Sequence, residues 1–423
     1  MSTSPASPAS PAVQAASVPD VGEDPARLGR LGPVLGAANL SWLLSFGVSS
    51  TLVQALLGQV DAHTKLDRYA TMATVGALVG MVSNIAFGVL SDRTRSRFGR
   101  RNPWILAGGF GTAASLSALS WTTSFPVMLL LWMCAQVSLN AMVGPLTAIL
   151  PDRVARADLG RASSWIGLGL LLGQSLGAVL AGLLLTVPVQ GLRWIPWLVA
   201  AGALLVFRAA PDRSNAAETR VTLPLRESVR SLLPPRDPDF LWALVGRLLT
   251  MLGLQCVLVY QLYVLTDYLG LSTGHAGSVI ALSGGITALT AGSAIAVSGP
   301  LSDRLGRRKP FVITAAALCA AAMVPLVLTR SLPAFFVFVL LAGFAYGAYV
   351  AVDQVIMAEV LPDQLHRAKD LGILNIANTM PQILAPLVAV TVVPGLGYRA
   401  LFVLAIVFAA GGGLCLLPIR RVR

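Results

Sequence analysis

Gly88-Val89-Leu90-Ser91-Asp92-Arg93, followed by Gly99-Arg100-Arg101-Asn102-Pro103, is the stretch that decides the fold, because the chain repeats it. The second copy reads Gly299-Pro300-Leu301-Ser302-Asp303-Arg304, then Gly306-Arg307-Arg308-Lys309-Pro310. The copies start half a chain length apart in 423 residues, and each lies between two long apolar segments. A weaker echo keeps the same offset: Ala148-Ile149-Leu150-Pro151-Asp152 against Glu359-Val360-Leu361-Pro362-Asp363. One unit used twice in a very apolar chain implies two parallel halves.

The surroundings of the repeat place it in a membrane. Hydrophobic residues are 55% of the chain and charged residues 12%, against about 25% charged in a soluble domain. Mean hydropathy is +0.74. Twelve stretches are long and apolar enough to span a bilayer: 34–60, 69–91, 104–123, 125–150, 163–187 and 194–208, then 241–267, 276–301, 311–329, 333–360, 371–393 and 398–418. This divides the chain into a Ser/Ala/Pro-rich tail over 1–30, a six-span bundle over 31–208, a polar, Pro-rich linker over 209–240, a second bundle over 241–418 and a basic tail over 419–423. A short amphipathic helix near Leu223–Leu233 is expected within the linker. The N-terminal tail has no basic start before an apolar core, so it does not read as a cleavable signal.

The net charge of +12 reflects topology rather than nucleic-acid binding. With both termini in the cytoplasm, 25 of the 31 Lys and Arg fall on the inner side; five (Lys65, Arg68, Arg193, Arg330, Arg399) fall outside, and Arg247 lies within a span. That bias orients a multi-pass protein of the cell membrane. Trp104 and Trp242 then mark the inner interface, Trp121 and Trp194 the outer one. Cys134, Cys256, Cys319 and Cys415 fall inside apolar segments and read as buried thiols, while His63, His275 and His366 fall in loops. No His/Cys cluster, nucleophile–base pair or phosphate-binding loop stands out, so no metal, cofactor or enzymatic activity is expected.

Six plus six spans, a doubled Asp-Arg…Gly-Arg-Arg loop after the second and eighth, and a long central linker resemble the major facilitator superfamily over nearly the whole chain after residue 30. The wording of Ser91-Asp92-Arg93-Thr94-Arg95-Ser96-Arg97-Phe98-Gly99-Arg100-Arg101 is similar to the branch of sucrose transporters and glycoside–pentoside–hexuronide cation symporters. So are Tyr260-Gln261-Leu262-Tyr263 with Asp267-Tyr268, and Ala368-Lys369-Asp370-Leu371-Gly372. The resemblance implies an all-α integral membrane protein of twelve transmembrane helices in two pseudo-symmetric bundles. It also implies a functional monomer that moves a small solute by alternating access.

The repeated loops are then candidate cytoplasmic gates: Gly88, Asp92, Arg93, Gly99, Arg100 and Arg101, with Gly299, Asp303, Arg304, Gly306, Arg307 and Arg308. Gly88 and Gly299 allow a neighbouring helix close. The resemblance sets the first loop beside the start of the eleventh span and the second beside the start of the fifth. An aspartate at a helix N-terminus gains about 0.3–1 kcal/mol. The arginines face acids in the loops after the fourth and tenth spans: Asp152, Asp158, Asp363 and Asp370. Such pairs would form when the inner side closes and break when it opens. The blander reading makes the arginines topology signals only, which leaves the repeated Asp/Gly order unexplained.

Charges inside spans cost about 2.5–3.5 kcal/mol each on insertion scales. Asp353, Glu359 and Arg247 are the proton-coupling candidates, with Asp267 at an outer end. Tyr346, Tyr349 and Asp353 are spaced to share one face of the tenth span, which the resemblance places on the central cavity. Asp353 reads either as a carboxylate that takes and releases a proton or as a fixed partner of Arg247. Candidate substrate ligands are Tyr346, Tyr349, Asn375, Asn378, Gln382, Gln136, Asn140, Asn39 and Gln261, since amides and tyrosines suit hydroxyl-rich solutes. The alternative is hydrogen bonding between helices, worth about 0.6 kcal/mol per pair; an isolated Asn84 reads that way. Gly169, Gly173 and Gly177 form a packing seam. Paired aspartates on the second span, as in melibiose-type sodium symporters, and an acid on the fourth, as in sucrose transporters, are both missing, so coupling rests on the second half. The expected function is proton-coupled uptake of a sugar or glycoside; the alternative is export of a small metabolite or drug by proton antiport. A receptor or scaffold would need a larger soluble domain than the linker provides.

Overall fold

The computed structural model describes residues 29–154, 158–212, 214, 237–305, 309–360 and 367–419, with backbone alone at 151, 299, 300, 303, 305, 353–360 and 367–378. Lipid offers no partner to a backbone N–H or C=O, so each crossing closes its hydrogen bonds within a helix. The helices are α1 (Leu31–Val60), α2 (Lys65–Arg93), α3 (Asn102–Leu119), α4 (Phe125–Arg153) and α5 (Leu159–Leu183). The sixth crossing, α6, comes in two pieces, Pro188–Trp194 and Trp197–Ala209. The second half has α7 (Pro238–Leu258), α8 (Thr273–Leu305), α9 (Lys309–Leu328) and α10 (Leu332–Val360). Arg367–Leu414 holds the last two crossings, α11 (367–396) and α12 (398–414), on either side of Gly397. Gly397 has φ +78°, a left-handed conformation that favours glycine.

Several boundaries differ from the hydropathy reading, for local reasons. Lys65 and Arg68 belong to α2 rather than to a loop, because a polar first turn is invisible to an apolar window. The fifth crossing stops at Leu183 and the sixth starts at Pro188, where proline suits a first helical turn; Pro196 separates the two pieces of α6. α7 starts early because the Asp237 side chain caps it, accepting from Asp239 N at 3.0 Å and Phe240 N at 3.2 Å. It does not run unbroken to 267. It ends at Leu258, and a short turn Gln261–Tyr263 leads into a π-helical turn Val264–Tyr268. His275 lies in the first turn of α8 rather than in a loop, and Cys415 just beyond the end of α12. The helix expected within the linker, the loop residues Gly306, Arg307, Arg308 and Asp363, and His366 lie outside the described residues.

The two halves repeat one packing pattern. α1 packs on α5 and α6, α3 on α4 and α6, and α2 on α4; α8 packs on α10, α9 on α10, and α7 and α9 on the Arg367–Leu414 helix. The halves meet along α5 against α8 and α2 against α11. Small residues set the close contacts. A Cβ at Gly173 would stand 2.8 Å from the Leu40 carbonyl and one at Gly177 3.1 Å from that of Leu44, while one at Gly169 would run into the Gly36 backbone. Between halves, Gly182 lies directly against Gly277.

Among the described side chains, buried apolar residues are distributed unequally between the two ends of the bundle. At the end away from the repeated loops, one cluster draws on both halves, from Leu52, Tyr69 and Trp132 to Tyr260, Phe338 and Phe402. At the end carrying the loops, each half has its own cluster: Leu35, Ile105, Met142 and Val206 in the first, Phe240, Val312, Tyr349 and Leu416 in the second. Gly169→Val inserts a branched side chain where backbones touch, an overpacking cost of about 1–3 kcal/mol. A lower thermal-shift midpoint of the purified protein, with Gly167→Val (nothing within 4 Å of its Cβ) little changed, is the expected result.

Candidate functional site

The first repeated loop is built as a charged knot. α2 continues through Arg93, so Gly88 lies inside the helix; a Cβ there would meet nothing within 4 Å, while α4 approaches the other side of α2, where a Cβ at Gly144 would stand 3.7 Å from Gly88 N. Gly99 has φ +81° and lies against the Asp212 side chain, so both backbone and space require glycine. Arg101, 7% exposed, donates from Nη2 to Asp92 at 2.6 Å and to Asp152 at 3.1 Å. Its Nη1 donates to Ser91 Oγ at 2.6 Å and its Nε to Asp152 at 3.1 Å. Arg100 reaches Asp152 at 3.0 Å, and Arg153 reaches Asp212 at 3.0 Å. These pairs join the ends of α2, α3, α4 and α6, all within the first half. Of the expected acidic partners, Asp152 is engaged by this loop, whereas Asp158 faces Arg161 of its own helix at 3.7 Å. Arg93 and Arg304 are exposed. Asp303 and Asp370 fall where only the backbone is described, as does Gly299.

The polar candidates in the middle of the bundle are not one group. Gln136 and Asn140 on α4 face Gly76 and Gly80 on α2. Asn140 Nδ2 donates to the Gln136 carbonyl at 2.9 Å, and Asn84 Nδ2 donates to Asn140 Oδ1 at 3.1 Å, which makes a local amide group between these helices. Trp132, one turn before Gln136, stacks on Phe46 with ring centroids 6.0 Å apart. Asn39 is occupied within α1: Nδ2 donates to Leu35 O at 2.8 Å and Oδ1 accepts from Trp42 Nε1 at 3.0 Å. Gln261 donates to Ser283 Oγ at 3.0 Å, tying the turn after α7 to α8. In the second half Arg247 is buried. Tyr349 is buried and Gln382 is exposed. Asp353, Glu359, Asn375 and Asn378 lie on described helix backbone, but their side chains do not belong to the description.

The end opposite the loops holds contacts that the apolar patterning did not single out. Lys65 at the start of α2 pairs with Asp267 in the π turn at 2.6 Å. Gln54 Nε2 donates to the Val259 carbonyl at 3.2 Å, and Tyr263 Oη donates to the Gln54 carbonyl at 3.1 Å. Tyr69 meets Tyr260 and Tyr263 edge-on, at 5.6 and 6.0 Å. Gln54, Lys65, Tyr263, Thr266 and Thr273 border a cavity of about 170 Å³ there. In the α1–α2 turn, the Thr64 hydroxyl, the His63 and Thr64 amides and nearby Arg68 hold the Asp61 carboxyl below its ordinary pKa.

Two matched helical bundles that share an apolar cluster at one end, with a charged knot at the other end and amides between, define a membrane transporter. The chain belongs to the Major Facilitator Superfamily, whose family model matches residues 34–292 and 243–423. It is therefore a multi-pass membrane protein and not an enzyme. It is similar to the sucrose transport protein SUT1 of Oryza sativa subsp. japonica, 29% identical over 184 residues. That match covers 36% of this chain and only 33% of the rice protein. Among solved structures, a mutant of the nucleoside transporter NupG superposes with a TM-score of 0.71 at 13% identity, over 92% of this chain and 99% of that one. A D-xylose–proton symporter superposes with a TM-score of 0.70 at 15% identity, over 93% and 98%. At these identities the structures speak to the fold alone.

The knot has an uneven sensitivity. Arg101 is 7% exposed and Arg100 is 39% exposed. Removing the buried guanidinium leaves Asp152 short of a charged donor, a cost of about 2 kcal/mol. Arg101→Gln is expected to lower the thermal-shift midpoint well below that of Arg100→Gln; equal shifts would contradict the burial argument.

Proposed function

We propose that the protein is a proton-coupled transporter of a sugar or glycoside in the cytoplasmic membrane. The observation that supports the solute class is the uncharged amide pair Gln136 and Asn140 on α4, with Asn84 serving as the interhelical donor to Asn140. Among the residues whose side chains are described, no carboxylate lies midway along a span, and Arg247 is the buried charge that does. Amides donate and accept, which matches vicinal hydroxyls better than it matches a cation. The partial likeness to a sucrose transport protein points the same way.

The bias of Lys and Arg toward the repeated loops supports a cytoplasmic setting for that end and for both termini. The separate apolar clusters at the loop end and the shared cluster at the far end then read as an inward-open state. The bundles over 31–208 and 241–418 rock about the central site, with 209–240 as their connection. In that cycle the loop knots gate the cytoplasmic side. Tyr346, Tyr349, Asn375, Asn378 and Gln382 supply the second half of the solute site. Asp353 is the proton carrier on α10, with Arg247 and Glu359 setting its surroundings.

The test uses proteoliposomes with labelled sucrose as the probe. Wild type should accumulate sucrose in response to an imposed pH gradient. Asp353→Asn should lose that response while still exchanging sucrose across the membrane. An equal gradient response in both removes Asp353 from the coupling role, and no sucrose movement in wild type rejects this solute as cargo.

A further inference from the structure

Asp267 collects donors from three elements at the seam between the halves. Lys65 Nζ of α2 lies 2.6 Å from Oδ1. Thr266 Oγ1, in the same π turn, donates to Oδ1 at 2.8 Å. Tyr398 Oη, at the start of α12, donates to Oδ2 at 3.4 Å. Lys65 also stands over the Tyr263 ring, 5.1 Å from its centroid. The other charges nearby are engaged elsewhere: Arg68 pairs with Asp61 at 3.3 Å, and Arg330 lies over the Tyr268 ring at 5.0 Å. The π turn is what delivers the carboxylate. Leu269 N bonds back to Val264 O and Leu271 N to Leu265 O, both at 3.0 Å, in place of α-helical spacing. π turns of this kind recur at functional positions.

The pair is the charged member of a cross-half set. The α7 break leaves the Val259 carbonyl to Gln54 of α1, while Tyr69 wedges between Tyr260 and Tyr263. At the loop end, the ion pairs of Arg100, Arg101 and Arg153 stay inside one half. Lys65–Asp267 therefore differs in kind: it must break whenever the far end of α2 separates from the π turn that follows α7.

We propose that Lys65–Asp267 is a latch that favours the conformation closed at the far end, with Asp267 the residue that organises it. The latch rests on the alternating-access reading but not on the identity of the solute or the coupling ion. Lys65 and Asp267 are 18% and 25% exposed. A partly screened pair of this kind shifts a two-state population by roughly fivefold. The tyrosine and amide contacts supply the remainder of the closure, so losing the latch biases the equilibrium and leaves the fold intact.

The experiment reads accessibility in purified protein, with no solute present. Gly58 of α1 borders the far-end cavity, and a Cβ there meets only Lys65 Cδ, at 3.8 Å, within 4 Å. The labelling rate of Gly58→Cys with a maleimide, corrected for the four native cysteines, reports opening. Lys65→Met or Asp267→Asn should speed labelling roughly fivefold. Exchanging the charges, Lys65→Asp with Asp267→Lys, should bring the rate back toward that of Gly58→Cys alone. Raising salt from about 0.1 M to about 1 M should speed labelling where the pair is intact and not where Lys65 is Met. This arm needs no variant of Asp267 to fold. Unchanged rates in both single variants, or a salt response that survives Lys65→Met, overturn the latch. Failure of sucrose transport alone overturns the solute reading and leaves the latch standing.

Discussion

A chain that crosses lipid twelve times must close every backbone hydrogen bond without water, and the rest of this structure depends on that constraint. It makes each crossing a helix and leaves side chains, not backbone, to hold helices together. Apolar side chains give no preference for a neighbouring helix over lipid, so contact comes from shape. Gly169, Gly173 and Gly177 let α5 lie on α1 backbone to backbone, and Gly182 against Gly277 does the same between the halves. Where the backbone does depart from α geometry, at Val259–Tyr268, it is covered by both halves and its spare carbonyl is taken by Gln54.

The same constraint explains why charge gathers at the ends. Arg101 is buried because three oxygen ligands, from Ser91, Asp92 and Asp152, replace its water. Its neighbour Arg100 makes one pair and stays half in solvent. The knot fastens the α2–α3 turn to the ends of α4 and α6, so the first half holds its loop as part of a rigid body. Relative motion between the halves then falls on the α5–α8 and α2–α11 seams.

Hydrophobic length and the doubled loop made the twelve crossings and the pseudo-symmetry legible, because both are properties of composition and spacing. The glycine seam on α5 was legible for the same reason. The α7 break was not: no proline or glycine lies between Gln255 and Tyr268, and a π turn has no compositional mark. Lys65–Asp267 escaped because its partners are some two hundred residues apart and each, alone, is an ordinary interfacial charge. Asp212 escaped too, as one polar residue at the edge of a polar linker that proved to be the counter-charge of Arg153. The amides split by context: Gln136 and Asn140 do face α2, while Asn39 spends both of its polar atoms inside α1, which periodicity cannot distinguish.

The unequal distribution of buried apolar surface has a thermal consequence. Parting the far end wets side chains such as Leu52, Tyr260 and Phe402 from the shared cluster, and among the described residues the two loop-end clusters hold fewer apolar side chains to set against that loss. Exposure of apolar surface raises heat capacity. The two states should therefore differ in heat capacity, and the balance between them should curve with temperature rather than follow a single enthalpy.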